Sequence, residues 1–264
     1  WDYNVANSAA EFLAEGETVS VTFEVVVSDD SLVDSAANGS QVDWVSEDVT
    51  ITLTGTNDAP VLTVDSQGTV TEDADSSTLT DSGALSFTDK DSNDSHQVTV
   101  SYNSDAVWSD GTSDYSLPAD ISALTGGFSA DLDGWDYSVA NSEVQFLKAG
   151  ETVTLSYDVT VTDSSGTATE DSNTETVTIT IQGTDDLPVV TNTQNSTTAI
   201  VTDSVISAGV NEGDGADTVT TSGTLNISDV DSNDTPVFDN QLTDDTSSYG
   251  DFVLDNNVWT YTVE

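Results

Sequence analysis

Three blocks of sequence occur twice in this chain, and the distance between the copies constrains the fold more than any other feature. Residues 1–29 match residues 135–163, residues 49–63 match residues 177–191, and DKDSND returns as DVDSND. The copies are 134, 128 and 140 residues apart. That spacing is the length of an ordinary domain and far above the roughly 20 to 50 residues of solenoid repeats. The sequence therefore predicts a tandem array of domain-sized modules.

The order of the blocks predicts where each module starts and ends. Residues 1–56 are expected to be the C-terminal part of one module, residues 57–184 a complete module, and residues 185–264 the N-terminal part of a third. Both ends then fall inside a module, and the two partial modules together amount to about one module. If both are ordered, we expect them to complete each other, either by head-to-tail pairing between copies or within a longer continuous chain.

Acidic residues dominate the composition and exclude several kinds of partner. The chain has 49 Asp and Glu residues against Lys90, Lys148 and His96, with no Arg, which gives a formal net charge of −47. Repulsion excludes nucleic acid and anionic lipid surfaces as partners. The longest apolar stretches are too short for membrane insertion. Because clustered carboxylates repel one another, folding is expected to depend on cations.

Alternation of apolar and polar residues with a period of two is the main secondary-structure signal. Runs rich in Val, Ile and Thr and bounded by Gly, Asp, Asn or Ser predict strands at 19–27, 49–53, 98–102, 153–161 and 177–181. Each of these strands is expected to turn one face toward a core.

Turn signals and the lack of a long helical pattern complete the fold prediction. Asp110-Gly111 and Asp133-Gly134 are typical strand connections, and the best helical candidate, residues 142–149, gives only one or two turns. About seven short strands per module predict an all-β fold of tandem antiparallel β-sandwich modules of immunoglobulin or cadherin-like type. The residues expected to fill the core are Trp135, Tyr137, Phe146 and Leu147, with their counterparts Trp1, Tyr3, Phe12 and Leu13.

The DKDSND and DVDSND segments have the composition and spacing of a calcium-binding loop. Asp89 and Asp91 alternate along the chain, so both carboxylates can face one ion together with a backbone carbonyl between them. The pattern is not an EF-hand, since Asp94 stands where an EF-hand has Gly. Runs of this composition also form ordinary turns. Their recurrence in two modules of a very acidic chain favours Ca²⁺.

The blocks also resemble a known family. SGALSFTDKDSND, the DGWDYSVANSEVQFLKAGETVTLSYDVTVTD block and the closing TITIQGTDD are similar to the VCBS repeat and its bacterial cadherin-like relatives, which form the extender regions of giant adhesins exported by type I secretion. The resemblance implies calcium ions at the module junctions and a stalk on the bacterial surface. The positions that it implies as calcium ligands are Asn57, Asp58, Glu72, Asp73, Asp89, Asp91, Asp94, Asp163, Asp185, Asp186, Glu212, Asp229, Asp231 and Asp234.

Two departures distinguish the copies. Asp185 stands at the second junction where the first has Asn57, and it adds a charge there. The acidic loop at residues 28–48 is longer than its counterpart at 162–173. It is either an elaboration with its own partner or a neutral insertion, and we favour the neutral insertion.

Three other functions fit parts of the sequence. An enzyme is disfavoured, because the chain has no Cys, one His and none of the common catalytic motifs, and because its paired carboxylates repeat with the module. The second is a binding module, using calcium to hold a glycan or using Thr176, Thr178 and Thr180 to hold ice. Those threonines are more simply the solvent face of a strand. The third is a self-assembling filament or surface layer made of neighbouring copies. In the stalk interpretation a distal domain would meet a surface or glycan that the sequence does not specify.

Overall fold

The computed structural model describes residues 1–28, 44–192, 219–238, 243–244 and 250–263, and most of these residues lie in β-strands. Glu212 and most of the acidic 28–48 loop lie outside the described residues. Within those ranges the helices are single turns: a 3₁₀-helix at Asn7–Ala9, α1 at Ser122–Thr125 and a 3₁₀-helix at Asn141–Glu143. None of the helices in this part of the chain has the length and apolarity to span a bilayer.

The first partial module is a two-stranded antiparallel sheet. Its strands are β1 (Thr18–Ser28) and β2 (Trp44–Thr54). They pair over their full length, with Thr18 opposite Thr54 and Ser28 opposite Trp44. Hydroxyl pairs on one face support the pairing, as between Thr22 Oγ1 and Thr50 Oγ1 at 2.9 Å.

The complete module is a sandwich of two sheets. The first sheet has the order β3 (Val61–Val64), β5 (Thr78–Thr88), β10 (Gly134–Ala140), β9 (Phe128–Ala130). The second has the order β4 (Gln67–Thr71), β12 (Glu175–Gln182), β11 (Thr152–Thr162), β7 (Val107–Ser109), β8 (Asp114–Tyr115), and β6 (Gln97–Tyr102) also pairs with β11. All pairs are antiparallel except β4 with β12, which is parallel. The predicted all-β sandwich fold is confirmed.

The sequence patterns located the strands and turns well. Each predicted run lies within a strand. Asp110-Gly111 lies in the connection between β7 and β8, and Asp133-Gly134 spans the end of the β9–β10 connection and the first residue of β10. The predicted helix at 142–149 was too long: only Asn141–Glu143 is helical. Val144 and Leu147, both fully buried, lie three residues apart on successive tight turns that are closed by backbone hydrogen bonds, so a longer α-helix does not form.

The core of the complete module lies between its two sheets. Trp135, Tyr137 and Leu147 are buried as predicted, and Phe146 packs against the core at its edge. Along β12, buried Val177, Ile179 and Ile181 alternate with threonines on the outward face. That face is the amphipathic pattern expected of a strand in a sandwich.

A close approach of Trp135 to the backbone explains the Ser-Gly pair of the repeat. A Cβ atom at Gly83 would lie 2.4 Å from the indole of Trp135, so only glycine fits beneath the ring. The Trp135 Nε1 donates to the Asp65 carbonyl at 2.8 Å and fixes the ring there. Trp259 lies on Gly223 in the same way in the third module.

The third module is a five-stranded sheet in the described residues. Its order is β13 (Val189–Asn192), β14 (Val219–Ser228), β17 (Val258–Val263), β16 (Asp251–Asp255), β15 (Thr243–Asp244). Because Trp259 pairs with Gly223 as Trp135 pairs with Gly83, β17 is the counterpart of β10. The first residues of the chain match the same strand, so both partial modules contain this part of the repeat.

The repeated core residues differ in burial between the modules. Trp1 is 86% exposed and Phe12 is 47% exposed, whereas Leu13 is buried. The prediction that Trp1 and Phe12 fill a core was therefore wrong for residues 1–56. The reason is physical: the Trp135 ring lies against Gly83 of β5 and Gly68 of β4. Those two strands precede the repeated block and have no counterpart in residues 1–56.

Candidate metal centres at the module junctions

Two short linkers connect the modules, and the first residue of each is hydrogen-bonded to the residue that directly precedes β1 or β11. Residues 55–60 join β2 to β3, and residues 183–188 join β12 to β13. The amide of Gly55 donates to the Glu17 carbonyl at 2.8 Å, and the amide of Gly183 donates to the Glu151 carbonyl at 3.0 Å. Equivalent residues thus make equivalent bonds at the two junctions.

The aspartate loop after β5 folds against the first linker. Asp89 Oδ1 accepts a hydrogen bond from the Asp91 amide at 2.9 Å, which closes a tight turn. Asp91 Oδ2 then accepts from the Asp58 amide in the linker at 2.7 Å. The loop after β14 repeats both contacts, from Asp231 to Asp229 at 3.2 Å and from Asp186 to Asp231 at 3.0 Å.

The same loop also contacts the preceding module. The Ser92 amide donates to the Phe12 carbonyl at 3.3 Å, and Asn93 Nδ2 donates to Glu17 Oε1 at 2.8 Å. At the second junction the Ser232 amide donates to the Phe146 carbonyl at 3.1 Å, and Asn233 Nδ2 donates to Glu151 Oε1 at 2.8 Å. Each aspartate loop therefore bridges two modules.

Asn57 and Asp163 come together at the first junction. Asn57 Nδ2 donates to Asp163 Oδ2 at 3.0 Å and to the Thr169 carbonyl at 2.8 Å. This orientation leaves Asn57 Oδ1 on the side away from those two acceptors. Asp163 comes from the end of β11, so the first junction gathers residues from both ends of the middle module's sequence.

Glu72 and Asp73 lie at the opposite end of the middle module from the Asp89–Asp94 loop. They follow β4, whose parallel partner β12 leads into the second linker. Glu72 is 1% exposed and accepts a hydrogen bond from the Thr184 amide at 2.9 Å. Asp73 accepts from Asn141 Nδ2 at 2.6 Å. The resemblance implied one set of calcium ligands for the middle module, containing Glu72 and Asp73 together with the aspartates at 89–94. The structure places the first two at the second junction and the aspartates at the first.

The second junction contains two compact groups of three carboxylates. One is Glu72, Asp186 and Asp231, and the other is Asp185, Asp231 and Asp234. Within each group, one oxygen atom of every residue lies within 4.8 Å of the others. Asp231 belongs to both groups and is 2% exposed.

Buried oxygen atoms without a hydrogen-bond partner are concentrated at the junctions. In the described ranges, the buried side-chain polar atoms that lack a partner are Asn57 Oδ1, Asp91 Oδ1, Asp94 Oδ2, Thr184 Oγ1, Asp186 Oδ2 and Asp231 Oδ1. All of them are oxygens, and all belong to a linker or an aspartate loop. A buried polar group without a partner is costly, and the cost is higher for a carboxylate. Hard cations bind such oxygens.

Burial and mutual repulsion change the acidity of these groups. Burial raises the pKa of Glu72 to about 7, helped by the charges of Asp186, Asp73 and Asp231 and opposed by the hydrogen bond from Thr184. Burial also raises the pKa of Asp91, Asp94, Asp186 and Asp231, and neighbouring aspartates raise it further. At Asp163 burial acts in the same direction, but hydrogen bonds from Ser165 and Asn57 outweigh it and leave the pKa below its usual value.

The few basic side chains of the sequence lie at the same places. Lys90 Nζ is 3.5 Å from carboxylate oxygens of Glu11 and Asp58, and Lys148 Nζ is 3.3 Å from Asp234 Oδ1. His96 Nε2 lies 2.8 Å from Asp89 Oδ2. The chain thus places both lysines and its histidine beside carboxylates of the two junctions.

Glu17 and Glu151 are junction residues that the sequence prediction missed. Glu151 is 1% exposed and accepts hydrogen bonds from Trp108 Nε1 at 2.9 Å in its own module and from Asn233 in the next. The available signal was the Gly-Glu-Thr-Val segment present in both copies of the first block, which puts one acid directly before a core strand.

The comparisons with known proteins found little similarity. No protein-family model and no curated protein matches the chain. Among solved structures, a three-domain immunoglobulin tandem of titin, in a variant with Glu-to-Ala substitution, is similar at 8% sequence identity and a TM-score of 0.28. That match covers 95% of this chain and 83% of the titin chain.

Proposed function

We propose that this chain is a segment of an extracellular stalk whose β-sandwich modules are held in line by calcium ions at their junctions, as part of a bacterial surface adhesin. The observation that carries the proposal is the set of buried oxygen atoms at both junctions that no protein donor reaches. The VCBS-like blocks of the sequence supply the adhesin part of the proposal.

The chemistry of the junction side chains suits calcium better than other metals. The donors are carboxylate, amide and hydroxyl oxygens, and the chain has no Cys and only one His. Calcium takes six to eight oxygen ligands at about 2.3 to 2.6 Å with flexible geometry, whereas magnesium requires a smaller and regular octahedron. A bound calcium ion would supply the positive charge that neutralises these buried carboxylates.

The connections of the aspartate loops explain how ion binding would stiffen the array. Asp91 is bonded to the linker through Asp58, and its neighbours Ser92 and Asn93 are bonded to the preceding module. The candidate ligands are therefore fixed to both sides of a short linker. Drawing them together removes the freedom of the hinge, so a string of modules becomes a rod.

Calcium would also stabilise the modules themselves. A ligand that binds only the folded state adds RT ln(1 + [L]/Kd), which is roughly 1.4 to 2.7 kcal/mol per site at ten- to hundred-fold saturation. Extracellular modules bind calcium at about 10⁻⁴ to 10⁻³ M. Sites of this strength are filled outside the cell and empty in the cytosol, which would keep the chain unfolded until export.

A calcium titration of the 264-residue chain tests this function. We expect calcium to raise the melting temperature by several degrees and to increase the maximum dimension in small-angle X-ray scattering, with magnesium giving a much smaller effect. The double variant Asp91→Asn with Asp231→Asn should lose both responses, because it removes one charge from the buried centre of each junction.

A matched control separates specific binding from charge screening. Asp136→Asn removes an exposed carboxylate from β10 of the middle module and should leave both responses intact. Equal effects of calcium and magnesium, or an equal loss in the control, would show that the ions only screen the net charge. Binding of immobilised glycans that depends on calcium without any change in shape would favour a glycan-binding module instead.

One observation favours a second candidate, the self-assembling filament. Phe23, Val25 and Val27 lie exposed on β1, whereas their counterparts Tyr157, Val159 and Val161 are buried in the complete module. Such a face is suited to another copy of this repeat. In that case calcium would stiffen each subunit and the open face would link subunits.

A further inference from the structure

The two junctions have equivalent contacts but differ at the third residue of the linker. This residue is Asn57 at the first junction and Asp185 at the second. We propose that the second junction binds a divalent cation more tightly than the first, and that this position sets the difference. The inference rests on the proposed function and deepens it, since it assigns different affinities to sites of the same kind. A stalk with such junctions stiffens in steps as the calcium concentration rises.

Geometry distinguishes the second junction. The Asp185 carboxylate lies with those of Asp231 and Asp234, all within 4.8 Å. Asp231 also belongs to the group with Glu72 and Asp186, and its Oδ1 is buried without a partner. In the parts of the first junction that the structure describes, no three carboxylates come this close together. The affinity of calcium sites rises with the number of charged ligands.

At the first junction two of the corresponding groups are already engaged by the protein. The Asn57 amide is neutral, and its nitrogen is bonded to Asp163 and to the Thr169 carbonyl, so only Oδ1 remains available to an ion. Asp89 is held by His96 at 2.8 Å. The second junction has Pro236 in place of His96, and proline has no side-chain donor for Asp229. The linker and aspartate loop of the first junction thus present less negative charge to a cation.

The lysines do not explain the difference, because each junction has one. Lys90 approaches Asp58 and Glu11 at the first junction, and Lys148 approaches Asp234 at the second. Both lysine side chains are partly exposed, and such pairs are weak. Within the repeated linker and aspartate loop, the linker position is therefore the main difference in ligand charge, with His96 acting in the same direction. Outside these segments, Glu72 adds a carboxylate to the second junction and Asp163 adds one to the first.

Reciprocal substitutions test the proposal with calcium alone as the probe. Asp91→Asn is expected to abolish binding at the first junction and Asp231→Asn at the second, so calorimetric titration of each background reports the other junction. We expect the Asp91→Asn chain to bind calcium more tightly than the Asp231→Asn chain. Adding Asn57→Asp to the Asp231→Asn chain should tighten binding roughly tenfold, as expected for one more charge near a divalent ion. Adding Asp185→Asn to the Asp91→Asn chain should weaken binding by a similar factor.

Two controls make the outcome decisive. Ala119→Asp adds a carboxylate to an exposed loop before α1 and should change neither affinity. Glu72→Gln in the Asp91→Asn chain measures the other acidic contribution to the second junction. Equal dissociation constants in the two backgrounds would overturn the proposal. It would also be overturned if the substitutions at residues 57 and 185 had no effect while Glu72→Gln weakened binding. Neither outcome would contradict the proposed calcium stiffening. Absence of calcium binding in the unsubstituted chain would instead overturn the proposed function.

Discussion

Asp91 and Asp231 show how one side chain can join two modules. One carboxylate oxygen of each accepts a linker amide, and the other oxygen is buried without a protein donor. The first contact positions the residue, and the second oxygen is the one that the proposed function assigns to a cation. Replacing either residue by asparagine keeps its shape and removes its charge, which is why these two substitutions separate structure from ion binding.

The buried Glu72 predicts a dependence of stability on pH in the absence of divalent cations. Burial raises its pKa from 4.5 to about 7 in the folded chain. The stability that this group contributes is therefore fully present below about 4.5 and is lost as the pH rises through about 7. In a chelating buffer we expect the melting temperature of the original chain to fall more steeply than that of Glu72→Gln between about pH 5 and about pH 8.

Calcium should reverse this dependence. An ion that needs ionised carboxylates competes with protons, so stability in calcium should rise over the same pH range. Identical pH profiles for the original chain and Glu72→Gln in chelator would show that Glu72 does not titrate in this range.

The candidate site was only partly predictable at the level of residues. The aspartate loop could be found because Asp89, Asp91 and Asp94 recur at fixed spacing in two modules. Glu151 could not be assigned in this way, because its role depends on Trp108 and Asn233, which are distant in sequence and meet it only in the fold. The division of acids between junctions depends on the parallel pairing of β4 with β12, which no local pattern encodes.

The contact between β5 and β10 predicts a large effect of one methyl group. Gly83→Ala would place a Cβ atom against the Trp135 ring, and overpacking of this kind costs about 1 to 3 kcal/mol. We expect a loss of that size in the free energy of unfolding, measured by denaturant titration at constant calcium concentration.

The neighbouring residue provides the control for this substitution. Ser82→Ala changes an exposed side chain on the same strand and should be nearly neutral. Gly223→Ala should reproduce the effect in the third module, where Trp259 covers the glycine. A neutral Gly83→Ala would mean that the indole can move away from β5 without loss.

The strands were easier to predict than the helices. Alternating Val, Ile and Thr residues mark β11 and β12 because one face of each strand is buried and the other meets solvent. The segment after β10 has a helix-like spacing of apolar residues. Val144 and Leu147 of this segment are buried by tight turns and not by a continuous helix, so the spacing of apolar residues alone wrongly predicted a longer helix.

At the scale of the whole molecule, the open face of β1 and β2 predicts self-association. Its apolar residues occupy positions that are buried in the complete module. Isolated two-stranded sheets are marginally stable in water. We expect sedimentation velocity to show concentration-dependent association of the 264-residue chain, weakened by Val25→Asp.

The opposite face of the same strand supplies the control. Val26→Asp changes a valine that is similarly exposed but points to the other side of β1, and it should leave association unchanged. Both partial modules contain a counterpart of β10, namely β17 and the first residues of the chain. When two partial modules pair, one of these two segments must be displaced, and this cost weakens the association. A chain that stays monomeric at all concentrations would argue that the halves do not complete each other.

The parallel pairing of β4 and β12 determines how the middle module responds to pulling. β4 lies near the start of the module and β12 at its end, and they pair from Gln67 opposite Thr178 to Thr71 opposite Gln182. Tension along the chain draws the beginning of β4 and the end of β12 in opposite directions along their common axis. All the hydrogen bonds between them then bear the force together, so they must break at once rather than open one after another. A tether built from such modules would hold its length under flow until a high threshold force is reached.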